Sequence, residues 1–104
     1  MTGRIDELLG KLRKLDPATR ERIRENDHYQ RDDPTWLWMI QGVIQDAIAA
    51  RGWDFQVGQF QAIPLASAMI WIASDEDGIG RRGGTAADAL LAAYVAALEA
   101  EAAR

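Results

Sequence analysis

Within TWLWMIQGVIQDAIAARGWDFQV the spacing of apolar residues changes abruptly, and that change constrains the fold more than any other feature of the chain. Up to Arg51, the residues Trp36, Leu37, Ile40, Val43, Ile44, Ala47 and Ile48 recur every three or four positions, which is one face of a helix. Beyond Gly52, the apolar Trp53, Phe55 and Val57 alternate with Asp54 and Gln56, the spacing of a strand with one buried face. Arg51-Gly52 supplies a basic last turn and a glycine just past the helix end. A helix that runs straight into a half-buried strand must share a core with it.

The flanking segments extend this pattern. Asp33-Pro34 places an N-cap and a first-turn proline ahead of the long helix, and Asp16-Pro17 does the same for a shorter one, ATRERIREN, whose single large apolar residue is Ile23. Ahead of that, Ile5, Leu8, Leu9, Leu12 and Leu15 form a narrow stripe over a helix from Arg4 to Leu15. Gly10 weakens that helix by about 1 kcal/mol relative to alanine, so packing must hold it. Between residues 59 and 74 the type of element stays open. ASAMIWIAS is too uniformly apolar for periodicity to separate strand from helix, although its length and its β-branched and aromatic content favour strand. SDEDG reads as a charged turn. Thr85-Ala-Ala-Asp88 is close to a capping box, with Asp in place of Glu or Gln, and opens a last helix faced by Leu90, Leu91, Tyr94, Val95 and Leu98. The expected fold is α+β in a single domain: two N-terminal helices over 1–33, then a long central helix, a small antiparallel sheet and a C-terminal helix forming an α-β-β-α body.

Composition narrows the function. With 104 residues, a core of modest size is available. Eighteen of the fifty hydrophobic residues are alanines, so nine Ile, nine Leu and four Trp must supply most of that core. The chain lacks cysteine, which removes disulfides, thiolate metal sites and cysteine nucleophiles, and suits a reducing compartment. MTGRIDELLGK has no apolar signal region, and no apolar run reaches the roughly 18 residues of a membrane span, so a cytoplasmic protein is expected. The net charge is −4 and unevenly spread: residues 1–33 carry eight basic and eight acidic side chains, residues 34–104 four and eight. An acidic body weighs against nucleic-acid binding, which depends on phosphate contacts.

DGIGRRGGTAADAL is the segment that most resembles a ligand motif. Gly78, Gly80 and Gly83 fit G-x-G-x-x-G. A dinucleotide fingerprint, however, needs a second parallel strand and an acidic residue beyond the helix, whereas Glu99 and Glu101 fall within the helix itself. A P-loop needs lysine where Gly84 stands. Neither motif holds, and the segment reads as a flexible strand-to-helix turn. A weaker anion site survives that rejection, with Arg81, Arg82, Gly83, Gly84 and Thr85 presenting guanidinium groups and backbone N–H donors at the helix N-terminus.

Other chemistry is sparse. The single histidine, His28, stands beside Asp27 and near Asp32 and Asp33, in a polar loop without an i, i+4 ligand pair, and reads as solvated. DEDG at 75–78 fails the calcium-loop register, which would need acidic residues at Ala73 and Gly84. No catalytic residue, metal site or cofactor is expected. The tryptophans say more. Trp36 and Trp38 lie about 200° apart on a helix, so a single core face cannot hold both. Trp36 continues the apolar stripe. Trp38, with Met39 beside it, is either covered by the first helix or exposed as a binding residue. The stripe of Ile5, Leu8, Leu12 and Leu15 has the same duality: it packs on its own domain or pairs with a second copy.

Residues 34–100 resemble the phage ABA sandwich domain in DPTWLWMIQGVIQDAIAARGWDFQV, AMIWIAS and GGTAADALLAAYVAAL. The strand–glycine–helix ending is also similar to the HicB-type antitoxin fold, and GRIDELLGKLRKLDPATRERIREN falls outside the resemblance. The resemblance implies an α+β fold and a phage or prophage origin, and carries over no catalytic residues. The leading expectation is therefore a small non-enzymatic phage or mobile-element protein that binds a host protein, for example as an inhibitor of a host defence system. One alternative is a module that sequesters a phosphorylated or nucleotide-like small molecule at Gly80–Thr85. Another is a homodimeric regulator that pairs through the first helix and holds nucleic acid with Lys11, Arg13, Lys14 and Arg20.

Overall fold

The computed structural model describes residues 4–25, 33–60, 65–72 and 77–103, the side chains of Gln59 and Phe60 excepted. It is an α+β fold: helices α1 (Arg4–Leu15), α2 (Pro17–Arg24) and α3 (Pro34–Ala50), strands β1 (Asp54–Phe60), β2 (Leu65–Trp71) and β3 (Ile79–Gly83), and helix α4 (Ala86–Ala102). The strands form one antiparallel sheet in the order β1-β2-β3.

Helices α2, α3 and α4 begin where the sequence places a cap. The Asp16 carboxylate accepts from the Thr19 N–H and Asp33 from the Thr35 N–H, each ahead of a first-turn proline. α3 stops at Arg51, and Gly52 takes the left-handed backbone (φ 73°) that turns the chain into β1.

Residues 65–71 are strand, as composition favoured. β2 alternates strictly: Ala66, Ala68 and Ile70 are buried, while Ser67 and Met69 stand on the opposite face. One segment differs from expectation. Residues 79–83 are not a flexible turn but the third strand, so the body is α-β-β-β-α. Glycine is disfavoured in strands, and Gly80 and Gly83 pair with Met69 and Ala66 of β2; the Met69 side chain also leaves no room for a Cβ on Gly78, which would lie 2.6 Å from Met69 Cγ.

α4 is the centre of the molecule. Ala87, Ala89, Leu90, Leu91, Ala92, Ala93, Tyr94, Val95, Ala97 and Leu98 are all buried, and they meet the inner face of the sheet, α3 and α1. Leu9 and Leu12 of α1 are buried in the same core, with Ile5, Leu8 and Leu15 packed partly buried against it. The α1 stripe thus faces its own domain. Trp36, Ile40, Ile44 and Ile48 form the buried face of α3. The His28–Asp32 loop and residues Asp75 and Glu76 lie outside the described residues.

One polar cluster crosses this core. The Tyr94 hydroxyl donates to Asp16 Oδ2 at 2.5 Å, Thr19 Oγ1 donates to the same oxygen at 2.6 Å, and Arg51 Nε donates to the Tyr94 hydroxyl at 3.1 Å. Arg51 also lies 5.1 Å from the Trp53 ring centre, and Trp53 packs against Tyr94. Burial pushes the Asp16 carboxyl up, but the Thr19 and Tyr94 hydroxyls, the Thr19 N–H and the Arg51 charge together bring it below its ordinary value. Burial, then donation to Asp16, raises the Tyr94 phenol above its own.

The two shifts set opposite limits. Asp16 stabilises the fold above the ordinary carboxyl value near 4 and loses that contribution as pH falls through its lower folded value. Tyr94 stabilises below the ordinary phenol value near 10 and loses that contribution as pH rises through its higher folded value. Tyr94→Phe removes a donor from a half-buried carboxylate and is expected to cost about 1–3 kcal/mol at neutral pH, seen in denaturant unfolding. The Tyr94 part of the alkaline decline should vanish with it; an unchanged alkaline limb would show that Tyr94 does not set it.

Candidate functional site

The structure separates the two groups of candidate residues. Trp38 is 76% exposed, the most exposed of the large hydrophobic side chains among the described residues, while Trp36 two positions earlier is buried. Neither α1 nor any other described element covers it. Helical spacing places Trp38, Gln41, Gly42 and Gln45 on one face of α3, turned away from the Ile40–Ile44–Ile48 face. With Met39 and Val43 they line a shallow depression of about 280 Å³. A Cβ on Gly42 would touch nothing within 4 Å, so its lack of a side chain leaves an open step beside the indole. An apolar ring with a single N–H donor, bordered by two glutamines, can bury area and exchange hydrogen bonds with another protein surface.

The Gly80–Thr85 segment is arranged differently from a ready anion cradle. The Thr85 hydroxyl accepts from the Asp88 N–H at 3.1 Å, and Asp88 Oδ2 accepts from the Gly84 N–H at 3.2 Å. The carboxylate thus bonds the N–H of the residue before the cap rather than that of the cap itself. Asp88 therefore already supplies negative charge at the α4 N-terminus, and Arg4 Nε lies 3.5 Å from its other oxygen. Gly83 sits directly beneath this carboxylate: a Cβ there would lie 2.6 Å from Asp88 Oδ2.

Arg81 and Arg82 extend from β3, exposed, and not from the helix turn. Together with Gly80 they border a groove of about 700 Å³ over the sheet face that α4 leaves open. Its other lining residues are Gln56, Gly58, Ser67, Ala68 and Met69. The register aligns Gln56, Met69 and Gly80 in one row and Gly58, Ser67 and Arg82 in the next. Glycines at Gly58 and Gly80 lower the floor, and Gln56, Ser67 and Arg82 supply polar groups. Reading the sequence alone missed Gln56, Gly58, Ser67 and Met69. Their signal was parity: Gln56, Gly58 and Ser67 fall at the polar or small positions of alternating strands, Met69 shares the face of Ser67, and together they mark the face without helix cover.

Among the described residues, no group of three or more His, Asp or Glu side chains converges as metal ligands. No helix among them is long and apolar enough to cross a membrane. Comparison with protein-family models, curated proteins and solved structures finds no match to this chain.

Competition at the α4 N-terminus can be measured. Asp88→Ala should lower stability by about 1 kcal/mol through loss of the cap and release the Gly84 N–H. Inorganic phosphate should then raise the melting temperature of the variant more than that of the parent. Equal responses would show that the carboxylate does not occupy an anion site.

Proposed function

We propose that the protein acts by binding rather than by catalysis, and that it docks a protein partner on the Trp38 face of α3. The exposed Trp38, beside Met39, Gln41, Gly42, Val43 and Gln45, carries this reading. An indole left in water on a helix whose opposite face is fully packed adds nothing to the core, and tryptophan anchors protein interfaces more often than other residues. The likeness of residues 34–100 to the phage ABA sandwich domain makes a host protein, such as a component of a defence system, the partner this reading expects. The acidic body suits a protein partner better than a nucleic acid.

A second reading has its own support. A phosphorylated or nucleotide-like ligand would lie in the sheet groove, on Arg81 and Arg82, rather than at the capped helix N-terminus. A third, pairing through α1 to hold nucleic acid, is weakened by the packing of Leu9 and Leu12 into the domain's own core.

Trp38→Ala separates the first two. Folding stability should change by no more than about 0.5 kcal/mol, as for an exposed side chain. Affinity for a partner purified from host lysate should fall by about 2 kcal/mol or more, some 30-fold. Full binding by the variant would overturn the docking site. A rise in melting temperature with nucleotides that disappears in the Arg81→Ala, Arg82→Ala double variant would favour the groove instead.

A further inference from the structure

Among the described residues, β1 and β3 are the outer strands of the sheet, and their edges are treated differently. At the β3 edge, Arg4 donates from a terminal guanidinium nitrogen to the Arg82 carbonyl at 2.7 Å, and Arg81 donates to the Gly80 carbonyl at 2.6 Å. Both carbonyls therefore point away from β2. Because backbone groups alternate along a strand, Ile79, Arg81 and Gly83 make the ladder to β2, and Gly80 and Arg82 face outward. Guanidinium groups cover their carbonyls, and two arginine side chains stand on the strand. Charges and capped carbonyls are the usual means of keeping an edge from pairing.

Carrying the alternation across β2 assigns the other edge. Ala66, Ala68 and Ile70 bond to β3, so Leu65, Ser67, Met69 and Trp71 bond to β1 through Phe60, Gly58, Gln56 and Asp54. Phe55, Val57 and Gln59 are then the β1 residues whose N–H and C=O groups point outward. Among the described residues, no side chain is bonded to these groups. β1 is seven residues long and carries one charge, Asp54, and Phe55 is 36% exposed at its margin.

We propose that β1 pairs with β1 of a second copy, antiparallel, to join two sheets into one of six strands. Several registers let outward groups meet, and the one proposed pairs Phe55 with Val57. With Phe55 opposite Val57 of the second copy, the outward groups of Phe55 and Val57 on both strands meet as hydrogen-bonded pairs. A two-fold axis through Gln56 repeats the arrangement. Two aromatic–β-branched pairs result on the face shared with Ile70, a favoured cross-strand combination. Gln56 meets Gln56, where amides exchange hydrogen bonds, and each Asp54 lies opposite a Gly58 rather than another carboxylate. The same operation at the β3 edge would set Arg81 against Arg81. A copy of this chain is therefore the occupant that fits β1, and the closed symmetry limits the assembly to two.

The test needs only the purified full chain. Sedimentation equilibrium should give twice the 11.5 kDa chain mass as concentration rises. In the dimer, the Phe55 and Val57 amides should be protected from hydrogen exchange. Val57→Pro deletes an outward N–H that the monomer's own ladder does not use, and Val57→Lys places a charge at the junction. Each should raise the dimer dissociation constant about tenfold or more, while the Gln56 amide, bonded within the monomer, stays protected. A monomer throughout the soluble range, a dimer that survives both variants, or a dimer with freely exchanging Phe55 and Val57 amides would each overturn the proposal. None of these readouts depends on Trp38 or its partner.

Discussion

The architecture depends on how closely α4 can be approached. Three strands and two helices pack on it, and its surface is buried around most of its circumference. A helix enclosed in this way must be apolar on nearly every side, yet large side chains on every side would hold the layers too far apart. Alanine resolves the conflict. Ala89, Ala93 and Ala97 follow one another at four-residue intervals, all fully buried, while Leu90, Leu91, Tyr94, Val95 and Leu98 fill the spaces between the neighbouring elements. The alanine content that limits the gross hydrophobic area of the chain is thus what permits a helix at the centre of so small a domain.

The N-terminal helices are attached to this body by polar contacts as well as by Leu9, Leu12 and Ile23. Asp16 is at once the cap of α2 and the acceptor for Tyr94 of α4, and Arg51 at the end of α3 completes the cluster. At the other end of α1, Arg4 bonds the Arg82 carbonyl and lies beside the Asp88 carboxylate. Two separate polar junctions, one near each end of α1, therefore fix where that helix lies across the domain. The α1 stripe alone would leave it free to slide, because leucines on a smooth surface tolerate several registers.

Much of the fold was legible in the sequence, and for local reasons. The Asp-Pro pairs, the Thr85-x-x-Asp88 box and the Arg51-Gly52 stop are short-range signals, and each element they predict begins or ends where they stand. β2 could be favoured over a helix by composition alone. β3 could not be seen, because its residues pair with β2 for reasons that lie in β2: buried Ala68 and Ala66 opposite Arg81 and Gly83, and Met69 lying over the glycines. The candidate sites divide along the same line. That Trp36 and Trp38 cannot share a core face follows from helix geometry. Which of them is exposed depends on what packs on α3, a question of tertiary contact. The groove residues are spread over three strands and become one surface only through register.

The glycines of DGIGRRGG also acquire a different meaning. Gly78 and Gly80 lie two apart because a strand returns to the same face at every second residue, and that face is crossed by Met69. Gly83 lies three further on because the chain there passes beneath the first turn of α4, with the Ala89 nitrogen 2.8 Å from where a Cβ would be. Strand alternation and a tight helix entry thus generate the G-x-G-x-x-G spacing between them without reference to a phosphate. Any compact strand-to-helix junction crossed by a long side chain on one face can produce the same string. In such a junction the glycines record steric exclusion by the protein's own atoms, and a ligand motif read from them describes space that is already filled.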